Sequence, residues 1–137
     1  MVDIKGSCTC GKVTYSATAE PIFVGVCHCT VCQKATGSAF AGVVAVPADT
    51  VHVTGETTQF DGVGDSGQAT HRQFCPVCGT SVTRTADVMP GVTMITVGTM
   101  DDPSALTPAV QIFCDSAQPW AILNDLQAFP KMPMGPG

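Results

Sequence analysis

Charge is scarce in this 137-residue chain: Lys, Arg, Asp and Glu make up 12% of it, and its six cations stand singly at Lys5, Lys12, Lys34, Arg72, Arg84 and Lys131. No basic stripe forms, so phosphates find no electrostatic footprint and nucleic acid is not an expected partner. A formal charge of −5 disfavours anionic membrane surfaces in the same way. No apolar run approaches the ~20 residues that cross a bilayer. No charged segment followed by an apolar stretch precedes the first cysteines, so a reducing, cytoplasmic location is the expectation. Repeats and low-complexity tracts are also missing. A hydrophobic content of 45% fits one domain over residues 1–131, with a loose tail at 132–137.

Cysteine, by contrast, is plentiful and clustered. Seven of the eight fall into three groups, Cys8-Thr9-Cys10, Cys27-His28-Cys29-Thr30-Val31-Cys32 and Cys75-Pro76-Val77-Cys78. Disulfide staples are the competing reading, but a chain of this size can bury a core without them, and the expected compartment is reducing. Short C-x-C and C-x2-C turns each present two thiolates from one knuckle, which points to zinc. Cys8/Cys10 and Cys75/Cys78 together make a closed site of four thiolates. Cys27, Cys29 and Cys32 form a second site with three protein ligands, leaving a fourth position for water or a substrate thiol.

The fold expectation is mainly β. Strands are predicted at residues 12–18, 40–46, 51–53, 57–60, 70–74, 81–85, 92–98 and 110–114, separated by Gly, Pro and Asp. Short helical turns are predicted at 30–36, running up to Gly37, and at 101–105, where an Asp precedes Pro103. The cysteine knuckles then lie at strand ends and turns of short antiparallel sheets.

The motifs carry a resemblance. Gly6-Ser7-Cys8-Thr9-Cys10-Gly11-Lys12-Val13, then Cys27 through Gly37, then Phe74-Cys75-Pro76-Val77-Cys78-Gly79-Thr80, resemble in that order the glutathione-dependent formaldehyde-activating enzyme family, which also includes centromere protein V. The likeness continues through Val97-Gly98-Thr99-Met100-Asp101-Asp102-Pro103, Ile112-Phe113 and Pro119-Trp120. It implies a β-tent zinc fold with a structural zinc on Cys8, Cys10, Cys75 and Cys78 and a catalytic zinc on Cys27, Cys29 and Cys32. The implied activity is addition of glutathione to formaldehyde, giving S-(hydroxymethyl)glutathione, formally a carbon–sulfur lyase run in the synthetic direction. Where the family often carries His before the Ile-aromatic pair, this chain has Gln111.

Other residues supply candidate roles around that chemistry. A thiolate attacking a carbonyl carbon leaves an alkoxide that needs a cation or proton donor. Lys34, two residues after Cys32, is the nearest cation in sequence; its alternative is a solvated surface lysine. His28 stands between two ligands and points away from the metal if the stretch is extended, which makes it a proton shuttle or a group that orients a thiolate or backbone. Arg72 and Trp120 are candidates for holding an anionic thiol, against a surface ion pair and a core or pocket-wall residue respectively. Cys114 reads as a small buried hydrophobe, a fourth ligand or a redox thiol, and His52 and His71 as solvated or structural. Two function classes remain: an enzyme joining a small thiol to an aldehyde, and a non-catalytic zinc module for protein interaction. The middle cluster of Cys27, Cys29 and Cys32 separates them, because a scaffold needs only the closed site.

Overall fold

The computed structural model describes residues 1–133; the rest of the expected tail, 134–137, lies outside them. Among the described residues, eleven strands and one α-helix follow in order: β1 Val2–Ser7, β2 Thr14–Ala19, β3 Phe23–Cys27, α1 Thr30–Thr36, β4 Ala41–Pro47, β5 Val51–Thr54, β6 Thr58–Val63, β7 Ala69–Phe74, β8 Ser81–Ala86, β9 Val92–Thr96, β10 Val110–Ile112 and β11 Gln127–Ala128. The protein is mainly β, as its sequence predicts. β1, β2 and β5 form an antiparallel sheet, and the others form an eight-stranded sheet in the order β11-β10-β3-β4-β9-β8-β7-β6. That larger sheet is mixed, because β10 runs parallel to both β3 and β11.

β4 explains the layering. Its run Ala41-Gly42-Val43-Val44-Ala45-Val46 is apolar throughout, as a strand covered on both faces must be. Val44 and Val46 enter one core with Ile4, Val13, Tyr15, Val82, Ile95, Cys8 and Cys75. Ala41 and Val43 enter a second with Cys27, Cys32, Ile112 and Phe113. Since successive side chains leave a strand on opposite faces, the two cysteine clusters lie on opposite sides of the large sheet. The helix expected at 30–36 is α1, stopped by Gly37 at φ 65°, a conformation that costs glycine little. The turn expected near Pro103 is a 3-10 turn capped by Asp102, whose carboxylate accepts from Ser104 N at 3.1 Å.

β1, β3 and the two-residue β11 are absent from the sequence expectation, and β1 and β3 each contain a glycine, which weakens a strand pattern. Both glycines mark close approaches. A Cβ on Gly25 would stand 2.8 Å from Val110 O, across the parallel β3–β10 pair. One on Gly6 would strike Thr99 O and the Tyr15 hydroxyl.

Candidate metal centres and active site

The first cluster is built from two hairpin turns. Between β1 and β2, Gly11 at φ 80° closes the knuckle through Gly11 N to Cys8 O at 3.1 Å. Between β7 and β8, Gly79 at φ 79° does the same through Gly79 N to Cys75 O at 2.9 Å. Thr9 and Thr80 join the knuckles, their hydroxyls 3.1 Å apart. The Sγ atoms of Cys8, Cys10, Cys75 and Cys78 all lie within 4.8 Å of one another. Cys8 to Cys10 is 3.5 Å and Cys10 to Cys75 is 3.7 Å. These separations exclude disulfides, which need about 2.05 Å. They fit sulfurs around one ion at ~2.3 Å, a tetrahedron with edges of about 3.8 Å. Backbone N–H groups already face the sulfurs, from Val13 to Cys8 at 3.3 Å and from Val77 to Cys75 at 3.4 Å. Such donors stabilise thiolate and fix its direction.

The second cluster uses a strand end and a helix start. Cys27 ends β3, Cys29 is the N-cap of α1 and accepts from Cys32 N at 3.3 Å, and Cys32 is the one buried residue of the helix. Their three Sγ atoms also lie within 4.8 Å of one another, and among the described residues no fourth Cys, His, Asp or Glu completes the group. Three thiols this close share one negative charge at most. Hydrogen bonds from Cys27 and then Cys32 bring Cys29 down to about 2, with Arg84 helping, while Cys27 is pushed up by its bonds to Cys29 and Cys32 and by burial. Full deprotonation needs a positive ion among them, so the donor set suits a metal.

Arg84 is the cation at this cluster, and sequence reasoning gave it no role. Its Nη1 donates to Cys32 Sγ at 2.9 Å. Burial works against its charge, but Cys32, and then Cys29 and Cys27, outweigh that and raise its pKa. A β-bulge aims it there. Gln73 pairs with Thr83 and Phe74 with Ser81, so Val82 is an extra residue in β8. Val82 therefore packs into the first core, while Arg84, opposite Met94, faces the second.

Lys34, the cation that sequence proximity suggested, is exposed and does not line the cavity beside the cluster. α1 carries it off the face that Cys32 buries. His28 is fully buried, its Nε2 3.0 Å from Gln111 Oε1 and its ring edge-on to Phe40 at 5.6 Å. Its backbone N–H donates to Ile112 O at 3.0 Å, while Gln33 Nε2 donates to His28 O at 2.7 Å and to Ser116 O at 3.0 Å. The residue thus ties the cluster's backbone to the C-terminal segment. Gln111, visible beforehand only as a departure from the family pattern, is the partner that makes this possible: its Nε2 donates to Leu123 O at 2.6 Å and its Oε1 accepts from Leu123 N at 3.1 Å.

Arg72 lies between two rings, 5.5 Å from the Phe60 centroid and 5.6 Å from that of Phe74, and donates to Ser81 Oγ at 3.2 Å. It shares a cleft of about 30 Å³ with Cys32 and Arg84 and is absent from the larger cavity wall. Trp120 is 78% exposed, neither core nor wall, because a 3-10 turn at Pro119–Ala121 buries Ala121 instead. Cys114 follows the end of β10, where Phe113 turns left-handed at φ 56°; it is half-buried, stands apart from both clusters, and its thiol pKa is raised by burial. His52 is exposed, whereas His71 bonds Asp61 at 2.7 Å and Asp87 at 2.9 Å.

The cavity beside the second cluster has a volume of about 310 Å³ and brings Cys27, Cys29, Cys32 and Arg84 to one wall. Met132, placed in the tail by the sequence reading, packs against the second core and lines this cavity.

A search of curated protein sequences finds no match. Among solved structures, a crystal structure of a Rhodobacter sphaeroides protein, determined as a structural-genomics target, is similar with a TM-score of 0.60 at 16% identity, over 91% of this chain and 99% of that one. At that identity the likeness speaks for the fold alone. The family model described as glutathione-dependent formaldehyde-activating enzyme matches residues 3–116, a span holding both cysteine clusters and Arg84, and the chain belongs to that family.

Proposed function

We propose that the chain is a zinc enzyme joining a small thiol, glutathione by its family, to an aldehyde, a carbon–sulfur lyase run in the synthetic direction. The observation that carries this reading is the incomplete ligand set of Cys27, Cys29 and Cys32 opening on a cavity, with Arg84 at 2.9 Å from Cys32. Cys8, Cys10, Cys75 and Cys78 would hold a structural zinc, and Cys27, Cys29 and Cys32 a catalytic one. When bound, the second zinc supplies the positive charge that keeps a thiol deprotonated at neutral pH.

The chain's own residues do the rest. Sulfur attacks the carbonyl carbon, the new carbon–sulfur bond forms, and the carbonyl π pair moves to oxygen, which takes back through water the proton that the thiol lost. Arg84 is the cation that faces this developing charge. His28 and Gln111 hold the cluster's backbone at its spacing. The apolar wall limits water at the reacting carbon, which strengthens the Arg84 interaction.

Cys29→Ser tests the reading. The variant should stay folded with one zinc per chain, down from two, and lose about a hundredfold or more of adduct formation above the spontaneous reaction. Enzyme far below substrate concentration distinguishes turnover from sequestration of product. Zinc-loaded wild type with no rate above the spontaneous one, across several aldehydes, refutes the enzyme and favours a non-catalytic zinc module.

A further inference from the structure

The wall of the 310 Å³ cavity is mostly apolar, with hydroxyls of Thr30, Ser66, Thr70 and Ser116 interspersed. Phe23, Val43 and Met94 supply it from β3, β4 and β9, and Ile112, Phe113 and Met132 from the C-terminal segment. Besides the cysteines, its ionisable side chains are Arg84 and Asp65. Arg84 is engaged by Cys32 at 2.9 Å, and Asp65 pairs with Lys131 at 3.6 Å. Glutathione carries two carboxylates and an ammonium at neutral pH. Taking any of these into such a space costs several kcal/mol without a partner, and both charged side chains at the wall are already engaged. The ionic ends of the thiol therefore stay outside. Formaldehyde does not fill the space either: the volume is that of a site for a molecule of many heavy atoms, in the usual range of about 300–1,000 Å³.

Resting on the reading of the three-cysteine cluster as the reacting end, we propose that the substrate aldehyde carries an apolar substituent of several carbons, alkyl or aryl, which occupies this cavity while its carbonyl faces Cys29 and Arg84. Burial of the substituent supplies the binding energy that a one-carbon aldehyde lacks, and the apolar lining selects against charged or sugar-like aldehydes.

Straight-chain primary alcohols from butanol to octanol serve as unreactive probes of the full-length, zinc-loaded protein. Titration calorimetry should give a dissociation constant falling roughly threefold to fourfold per methylene. Val63→Asp, at an exposed position of β6 on the cavity wall, should weaken octanol by roughly tenfold with an unchanged melting temperature. With glutathione as the thiol, kcat/KM for octanal should exceed that for formaldehyde by about tenfold or more. A flat alcohol series overturns the proposal, and a rate on formaldehyde alone would then leave the enzymatic reading intact. A rising series with no rate on any aldehyde supports the apolar site and refutes the enzyme.

Discussion

Gln111 is a polar side chain with 1% exposure, and nothing about that is accidental. One amide serves four partners, His28 Nε2, Leu123 N, Leu123 O and Leu126 O, which joins β10 to the cysteine cluster on one side and to the C-terminal segment on the other. Leucine in its place would match the volume but leave those groups unpaired in the interior. We expect Gln111→Leu to cost about 2–4 kcal/mol in denaturant unfolding, because buried donors and acceptors without partners each lose their full solvation. A change under ~0.5 kcal/mol would refute this role. Sequence shows the glutamine but not its burial. Arg84 was hidden for a related reason: in Ser81-Val82-Thr83-Arg84 plain alternation puts it on the face of Val82, and only the bulge sends the two to opposite cores.

Between elements, the edge of the large sheet carries a latch. His71 on β7 holds Asp61 of β6 through Nδ1 and Asp87, just after β8, through Nε2. Hydrogen bonds to Asp61 and then to Asp87 raise the His71 pKa above its usual value near 6.5. A raised folded pKa means that the contribution is complete below the unfolded value and fades as pH rises through the folded one. The melting-temperature deficit of His71→Gln should therefore be larger at pH 6 than at pH 9, measured with matched buffers and zinc. Equal deficits would show that the latch is uncharged. The strands that sequence found, such as β4 and β9, carry closely spaced β-branched residues, Val43, Val44 and Val46 in one and Val92, Thr93, Ile95 and Thr96 in the other. Of those it missed, β11 is only two residues long, while β1 and β3 depend on glycines whose value lies in contacts with Thr99 and Val110, far away in the chain.

For the whole molecule, the large sheet separates two cores, and each holds one cysteine cluster. Cys8 and Cys75 are 2% and 0% exposed, and their knuckles join β1–β2 to β7–β8 across the first core. Cys75→Ser should thus lose metal and global stability together, by about 3 kcal/mol or more, whereas Cys29→Ser should spare the fold. Circular dichroism melting with metal counting checks this: a Cys75→Ser variant with one fewer zinc and an unchanged melting temperature would reject a structural role. The sequence by itself determined the mainly β character, α1, and the division of seven cysteines into a set of four and a set of three. Cysteines two or three residues apart share a single turn, so spacing brings each pair together, while the fold brings the Cys8/Cys10 and Cys75/Cys78 knuckles to one place. Tertiary structure decided which cation meets the three-cysteine cluster, that His28 leans on Gln111, and that the cavity wall is apolar. Those depend on register, on one bulge, and on a parallel pairing between β3 and β10, which join segments more than eighty residues apart. A local pattern leaves the face that a side chain occupies undetermined until its strand is paired.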